Sequence, residues 1–195
     1  MSGVENAGWL QVKLADVAEI NPGRTKPEDD TTDVTFLSMG DVSETGAVIR
    51  RQQRSYLEVA KGFTSFAEGD VLVAKITPCF ENGKGAQATN LLNGIGFGST
   101  EFHVIRANPD RVSARFLYWH TRSDAFRFEG EQRMVGSAGQ KRVPTEFLKQ
   151  YQLALPPLPE QQKIAAILTT VDDKLDLIAR QISATQTLKQ GLMQT

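Results

Sequence analysis

Cysteine is nearly absent from this 195-residue chain, which has only Cys79. A single cysteine excludes an intramolecular disulfide framework. Because no histidine partner is visible in the sequence, Cys79 is expected to pack as a small apolar side chain. Long apolar runs are missing too, since no stretch approaches the roughly 18 residues of a membrane span. Met1–Leu14 lacks the arrangement of a secretion signal. These absences predict a soluble, cytoplasmic protein that has no membrane partner.

An excess of charge of either sign is also missing. The 22 Lys and Arg residues balance 23 Asp and Glu residues, for a formal net charge of -1. This balance argues against indiscriminate binding of polyanions, but it permits a basic face. Acidic residues concentrate in residues 28–33, and basic ones in residues 50–61 and 133–149. Each basic run alone fits an ordinary solvated surface equally well.

The common enzyme motifs are absent. The chain has no Asn/Asp-Pro-Pro-aromatic methyltransferase motif and no Gly-x-Gly-x-x-Gly cofactor turn. Asn82–Gly85 has a partial likeness to a phosphate loop, but it lacks that motif's first glycine and its Ser or Thr. Asp70 and Lys75 suggest a metal nuclease, yet Val73 stands where the second acidic residue belongs. The sequence therefore predicts no catalytic residue.

Histidine is scarce as well. His103 and His120 are the only two, and neither has cysteine or carboxylate neighbours at the spacing of a zinc site. We expect both to be structural, and we expect no metal and no cofactor.

A mixed α+β domain is predicted for residues 1–155, followed by a proline hinge and one long helix over residues 156–195. Glycine-rich turns separate apolar runs of strand length. The glycines between Gly83 and Gly98 predict tight turns or close backbone approach. Ser113 is suited to cap a helix with an inward aromatic face. The other expected elements are a helix at Leu14–Ile20 and strands at Val34–Leu37, Val71–Ile76, Phe102–Ile105 and Tyr151–Leu155.

The long helix has the pattern of a coiled coil. Pro156, Pro157 and Pro159 restrict the backbone, so they favour a rigid exit over a flexible linker. Apolar residues then recur alternately four and three positions apart, which predicts a partner helix. Some 35 helical residues span ~50 Å, comparable to about fifteen base pairs of duplex. The predicted dimerisation seam consists of Ile164, Leu168, Val171, Leu175, Ile178, Ile182 and Leu192.

Two polar loops are predicted to bind DNA. Residues 133–142 combine glycine turns with Gln, Lys and Arg side chains, which read base edges or clamp phosphates. Residues 75–84 hold two lysines, a threonine and an asparagine, although a tight hairpin with exposed lysines explains this segment as well. The candidate DNA-binding residues are Lys75, Thr77, Asn82, Lys84, Arg133, Ser137, Gln140, Lys141 and Arg142.

Five segments, taken in order, resemble the specificity subunit of type I DNA restriction-modification systems. They are spread over nearly the full chain, and the proline stretch before the long helix is especially distinctive. The segments are Leu14–Ile20, Gly69–Pro78, Gly96–Phe102, Gly136–Pro144 and Leu155–Gln161.

The resemblance implies that residues 1–155 are a target recognition domain, which reads one half of a bipartite sequence in double-stranded DNA. It implies docking to methyltransferase (modification) subunits and, through them, to restriction (translocase) subunits, with no catalysis by this chain. A full-length family member has two such domains and two long antiparallel helices. This chain has one of each, as expected of a natural half-subunit or of a truncated or engineered one. An antiparallel homodimer should then select an inverted-repeat target.

Two other functions stay open at the level of sequence. The chain is a catalytic nuclease subunit if Asp70 and Lys75 act together on DNA. It is a protein-binding coiled-coil scaffold if its globular domain binds protein and its helix only oligomerises.

Overall fold

The computed structural model describes residues 8–137 and 139–193. Strands and short helices alternate up to residue 155, and one long helix follows. In chain order the elements are β1 Leu10–Lys13, α1 Leu14–Val17, β2 Ala18–Ile20, β3 Asp33–Leu37, β4 Gln52–Ser55, α2 Tyr56–Val59, β5 Thr64–Ala67, β6 Val71–Ala74, β7 Gly85–Gln87, β8 Ile95–Gly98, β9 Phe102–Ala107, α3 Ala114–Thr121, α4 Asp124–Gln132, α5 Thr145–Gln150, β10 Gln152–Leu155 and α6 Leu158–Met193.

The strands form three small sheets within the described ranges. One has the order β2-β9-β6-β7 and is antiparallel throughout. The second has the order β4-β3-β8-β5, and its β3 and β8 run parallel. β1 and β10 form an antiparallel ribbon in which Leu10 lies opposite Leu155. This mixture of helices and sheets confirms the predicted α+β class.

The largest apolar cluster joins the first sheet to α3, α4 and α5. Phe80, Phe126 and Leu148 are almost fully buried within it, and Ala165 brings the first turns of α6 into the same cluster. Two smaller clusters lie around Phe66 and Phe97. The first turns of α6, which we call its root, therefore share a hydrophobic core with the globular part.

The segment Leu14–Ile20 corrects one expectation, because it is not a single helix. α1 ends at Val17, and the next residues form β2, where Ala18 lies opposite Ala107 and Ile20 opposite Ile105. β9 supplies hydrogen-bond partners to the backbone of β2, and this pairing overrides the local helical pattern. The strand predicted to reach Ile76 ends at Ala74.

Other local expectations are confirmed. β3 and β9 contain the strands predicted at Val34–Leu37 and Phe102–Ile105. The Ser113 side chain accepts a hydrogen bond from the backbone N–H of Phe116 and so caps α3. At Gly85, an added Cβ would lie 2.6 Å from the carbonyl oxygen of Leu72. Glycine is therefore needed there for close backbone approach, as its density suggested.

α6 runs for 36 residues and begins one residue before Pro159. Its first turns pack against α3 and bury Gln161 and Ala165. Ile164, the first residue of the predicted seam, also packs against the globular core of its own chain. The later seam residues are substantially exposed: Leu168 40%, Val171 50%, Leu175 59%, Ile178 51%, Ile182 53% and Leu192 71%.

Candidate nucleic-acid interface

The two loop segments predicted separately, residues 75–84 and 133–142, lie side by side; we call them the paired loops. Ile76 forms an antiparallel bridge with Arg142, which also bridges Val135. The N–H of Thr77 donates to the carbonyl of Lys141 over 2.9 Å. The structure thus joins both candidate segments into one surface.

The first loop is a tight turn with a buried anchor. The N–H of Phe80 donates to the carbonyl of Ile76, and the N–H of Lys84 donates to that of Cys79 over 2.9 Å. The Phe80 ring is buried against Phe126, with ring centroids 6.0 Å apart. The turn is therefore held in place by the core beneath it.

An ion pair orders the second loop. The Arg142 guanidinium donates through Nη2 to Glu101 Oε1 over 2.8 Å and through Nε to Oε2 over 3.0 Å. Nη1 donates to the carbonyl of Gln140 over 3.1 Å. Arg142 lowers the pKa of the Glu101 carboxyl by this hydrogen bonding, against the opposing effect of burial. In this arrangement the partly exposed Arg142 side chain braces the loop against Glu101.

Several other candidate side chains also contact protein groups. Thr77 donates its hydroxyl to Glu81, and Asn82 donates its amide to Glu44 Oε1 over 2.8 Å. The Lys84 ammonium donates to the carbonyl of Met39 over 3.2 Å. Lys75 is half-buried, and its backbone N–H donates to the Glu101 carbonyl. These contacts shape the first loop.

Five of the candidates are exposed, Asn82 on the first loop and four on the second. Lys141 lines a cleft of about 470 Å³ together with Thr77, Met134 and two acidic residues, Glu81 and Glu131. A duplex approaching this surface meets amide, hydroxyl and cationic groups suited to bases and phosphates, beside these two carboxylates. The exposed candidates are Asn82, Arg133, Ser137, Gln140 and Lys141.

His103 supports the paired loops from beneath. Its Nε2 lies 2.8 Å from the carbonyl of Val143, and because a carbonyl only accepts, Nε2 carries the proton. Nδ1 accepts from the Asn21 amide over 3.2 Å. Burial lowers the pKa of His103. No sequence signal identifies this contact, since 82 residues separate Asn21 from His103.

Most basic side chains of the run at residues 50–61 contact other groups of the folded domain. Arg50 pairs with the buried Asp41 over 2.8 Å, and Arg51 donates to the carbonyl of Thr89 over 3.1 Å. The Arg54 guanidinium lies over the Phe36 ring, 3.9 Å from its centroid. These contacts explain the run as part of the folded surface around β4.

The structure separates the two groups of the nuclease hypothesis. Asp70 is buried and accepts two hydrogen bonds from Arg106, over 2.9 and 2.8 Å. Lys75 follows the far end of β6, roughly 16 Å away at ~3.3 Å per extended residue. The described residues contain no cluster of three or more His, Cys, Asp or Glu side chains placed to hold a metal.

No described helix combines the length and apolarity needed to cross a bilayer.

A mixed α+β domain followed by one long helix is the fold of a known class of protein. The model of the family described as "Type I restriction modification DNA specificity domain" matches residues 6–186, so the chain belongs to this family.

Curated relatives agree with this assignment. The chain is 38% identical over 189 residues to the specificity subunit of the type I restriction enzyme EcoAI of Escherichia coli. It is 35% identical over 189 residues to that of EcoEI from the same organism. Each match covers 96% of this chain and 32% of the relative, so the chain spans about a third of their length.

Solved structures share the fold. The HsdS subunit from Thermoanaerobacter tengcongensis has a TM-score of 0.74 at 23% identity, covering 97% of this chain and 48% of that chain. A chain from a study of complex assembly and conformational transition of the type I R-M system has a TM-score of 0.75 at 24% identity, with the same two coverages.

Proposed function

We propose that this chain is a DNA-recognition subunit of a type I restriction-modification system and performs no bond chemistry itself. Residues 1–155 would be the target recognition domain, and residues 156–195 the hinge and spacer helix. The observation that carries the proposal is the meeting of the paired loops, because it joins two polar segments into one surface on which Arg133, Ser137, Gln140 and Lys141 are exposed. The family membership and the names of the relatives support it.

The division of labour on DNA follows from side-chain chemistry. Lys141 and Arg133 would contact phosphates, which position the domain without reading sequence. Gln140 would read a base edge, since its amide donates and accepts hydrogen bonds together. Arg142, braced by Glu101, would hold the loop in the orientation that this reading needs.

The partners follow from the same proposal. Methyltransferase subunits would bind this chain in the cytoplasm and be directed by it to the target, and restriction subunits would join through them. The exposed seam from Leu168 to Leu192 would pair with the seam of a second copy in an antiparallel homodimer. A two-fold dimer presents identical surfaces in opposite directions, so its target would be a spaced inverted repeat.

Methylation mapping tests the function directly. The chain would be produced with its methyltransferase subunits, and methylated positions would be mapped across a genome that lacks other such systems. A split palindromic motif with a constant spacer is the expected result. Methylation without any sequence motif would contradict the proposal and favour the scaffold function, in which the globular domain binds only protein.

A further inference from the structure

A fully buried glutamine holds the root of α6. Gln161 is 0% exposed although its side chain is polar. Its Oε1 accepts from the N–H of Ser113 over 2.8 Å, and its Nε2 donates to the carbonyls of Pro156 over 2.8 Å and Arg111 over 3.2 Å. The first anchor of the helix thus joins the hinge to the start of α3.

A second anchor lies eight residues further along α6, at Thr169. Its Oγ1 accepts from Arg115 Nε over 3.0 Å and from Trp119 Nε1 over 3.1 Å, and it donates to the carbonyl of Ala165 over 2.8 Å. The Arg115 guanidinium also lies over the Tyr118 ring, 4.6 Å from its centroid. We call Arg115, Trp119 and Thr169 the helix clamp.

Two anchors at separate points along α6 fix the direction of the helix axis, whereas a single anchor would let the helix rotate about that point. Gln161 and Thr169 are ~12 Å apart along the helix, at ~1.5 Å per residue. Between them Ala165 is 3% exposed, and its small side chain allows α6 to lie close to the globular core. Beyond Thr169 the helix extends ~36 Å to Met193, so a change of about 10° at the root moves the far end by ~6 Å.

We propose that the helix clamp is a positioning device that aims α6 and thereby determines which DNA spacer lengths the protein accepts. This inference rests on the proposed function. Two recognition surfaces held at the ends of paired helices can engage two half-sites only when the helix direction matches their separation and rotation. Because ~3.4 Å separates neighbouring base pairs, a displacement of ~6 Å corresponds to about two base pairs of spacer.

Thr169→Val tests the clamp at constant side-chain volume. The valine removes the acceptor of Arg115 Nε and Trp119 Nε1 and keeps the β-branched shape. Thr170→Val is a matched control, because the exposed Thr170 hydroxyl makes the same bond to the helix, to the Ala166 carbonyl over 2.8 Å. Thr169→Ser keeps the hydroxyl group and should therefore behave like the wild type. Arg115→Lys removes the Arg115 Nε contact from the other side, leaves the Trp119 contact in place, and serves if Thr169→Val fails to fold.

The first measurement reports helix direction without DNA. Spin labels are placed at the exposed positions Ala125→Cys and Ala184→Cys in a Cys79→Ser background, and labelled chain is diluted with unlabelled chain to isolate distances within one chain. Over the ~22 Å from Thr169 to residue 184, a change of about 10° shifts or broadens the label distance by roughly 4 Å. We expect this in Thr169→Val and Arg115→Lys only. A distribution identical to wild type in both overturns the inference.

The second measurement is the spacer preference of the complex with methyltransferase subunits, read from selected DNA with one to several base pairs added or removed. Thr169→Val should accept additional spacers while keeping the wild-type half-sites, which a merely weakened fold would not produce. Unchanged spacer preference in a variant with a redirected helix overturns the inference. If wild type itself shows no half-site preference, the proposed function fails, while the distance measurement still decides whether the clamp aims the helix.

Discussion

Arg142 and Glu101 form a two-pronged ion pair, although 41 residues separate them in sequence. The pair connects the second of the paired loops to the residue that precedes β9. Both side chains are partly exposed, so its role is to order the loop more than to stabilise the whole domain.

Arg142→Lys should loosen the paired loops, because an ammonium group cannot reproduce the planar two-point contact. We expect the amides of Thr77 and Val143, which bond across the loops, to exchange hydrogen roughly tenfold faster while core amides are unaffected. Hydrogen exchange measured residue by residue tests this. The control is Arg133→Lys at an exposed position. Unchanged exchange at both amides would show that the ion pair does not order the loop.

Gln140→Ala and Lys141→Ala should affect DNA binding differently. Loss of a base contact by Gln140→Ala should cost about 1 to 3 kcal/mol at one base position. Lys141→Ala should weaken all sequences alike and reduce the salt slope by about 1. Binding isotherms of the assembled complex at several salt concentrations distinguish the two. Lys149→Ala, an exposed lysine outside the paired loops, is the control, and unaltered binding in both loop variants would refute this interface.

Stability should fall as the solution becomes mildly acidic. Burial lowers the folded-state pKa of His103 and of His120 below the ordinary value of 6.5. For His103 the Val143 carbonyl and Glu101 offset part of this effect, and Lys75 adds to it. The unfolded chain therefore takes up protons near pH 6.5 that the folded chain does not. The stabilisation is complete above pH 6.5 and is lost as the pH falls below it.

Urea unfolding between pH 7.5 and 5 measures this effect. Each histidine contributes a slope of up to about 1.4 kcal/mol per pH unit. His103→Gln and His120→Gln should each remove part of the slope. Carboxylates act in a lower window, because the pKa of Glu101 is depressed from 4.5 and its stabilisation is lost only below that value. A free energy of unfolding that is constant over the range would contradict the expected burial of neutral histidines.

The helix seam should control association. Leu175→Glu and Ile178→Glu place charge on the exposed apolar stripe, and losing one buried side chain from each of the two copies weakens pairing by about 3 to 6 kcal/mol, or more than about 100-fold. Sedimentation equilibrium should show a dimer for the wild type and monomers for both variants. Ala184→Glu lies off the seam and should stay dimeric. A wild-type chain that sediments as a stable monomer would exclude the homodimer.

Gln161→Leu should destabilise the fold even though leucine is apolar and of similar size. It leaves the Ser113 N–H and two carbonyls without their buried partner, which costs about 2 to 4 kcal/mol. Chemical denaturation measures the loss. Gln162→Leu, at the exposed neighbouring position, should change the free energy of unfolding little. Equal effects of the two substitutions would show that the buried amide is not an anchor.

Local pattern was sufficient for the features that depend on neighbouring residues. The α+β class, the Ser113 cap, the strands around Val34 and Phe102 and the long helix all follow from periodicity and from turn or cap chemistry. Two segments departed from this: the second half of Leu14–Ile20 pairs with β9 as a strand, and the strand expected to reach Ile76 ends at Ala74. Both candidate DNA segments were visible as polar, glycine-containing loops.

The sequence by itself thus determined the fold class, the two loop segments and the exposed seam of α6. Only the tertiary structure decided that the two loops form one surface and that Arg142 forms an ion pair with Glu101. It also decided that the Thr169 hydroxyl accepts hydrogen bonds from Arg115 and Trp119. These contacts join residues that are far apart in the chain, from 41 positions for Arg142 and Glu101 to 66 positions for Arg142 and Ile76. Periodicity reports what a residue's near neighbours do, whereas such pairings depend on how whole elements pack.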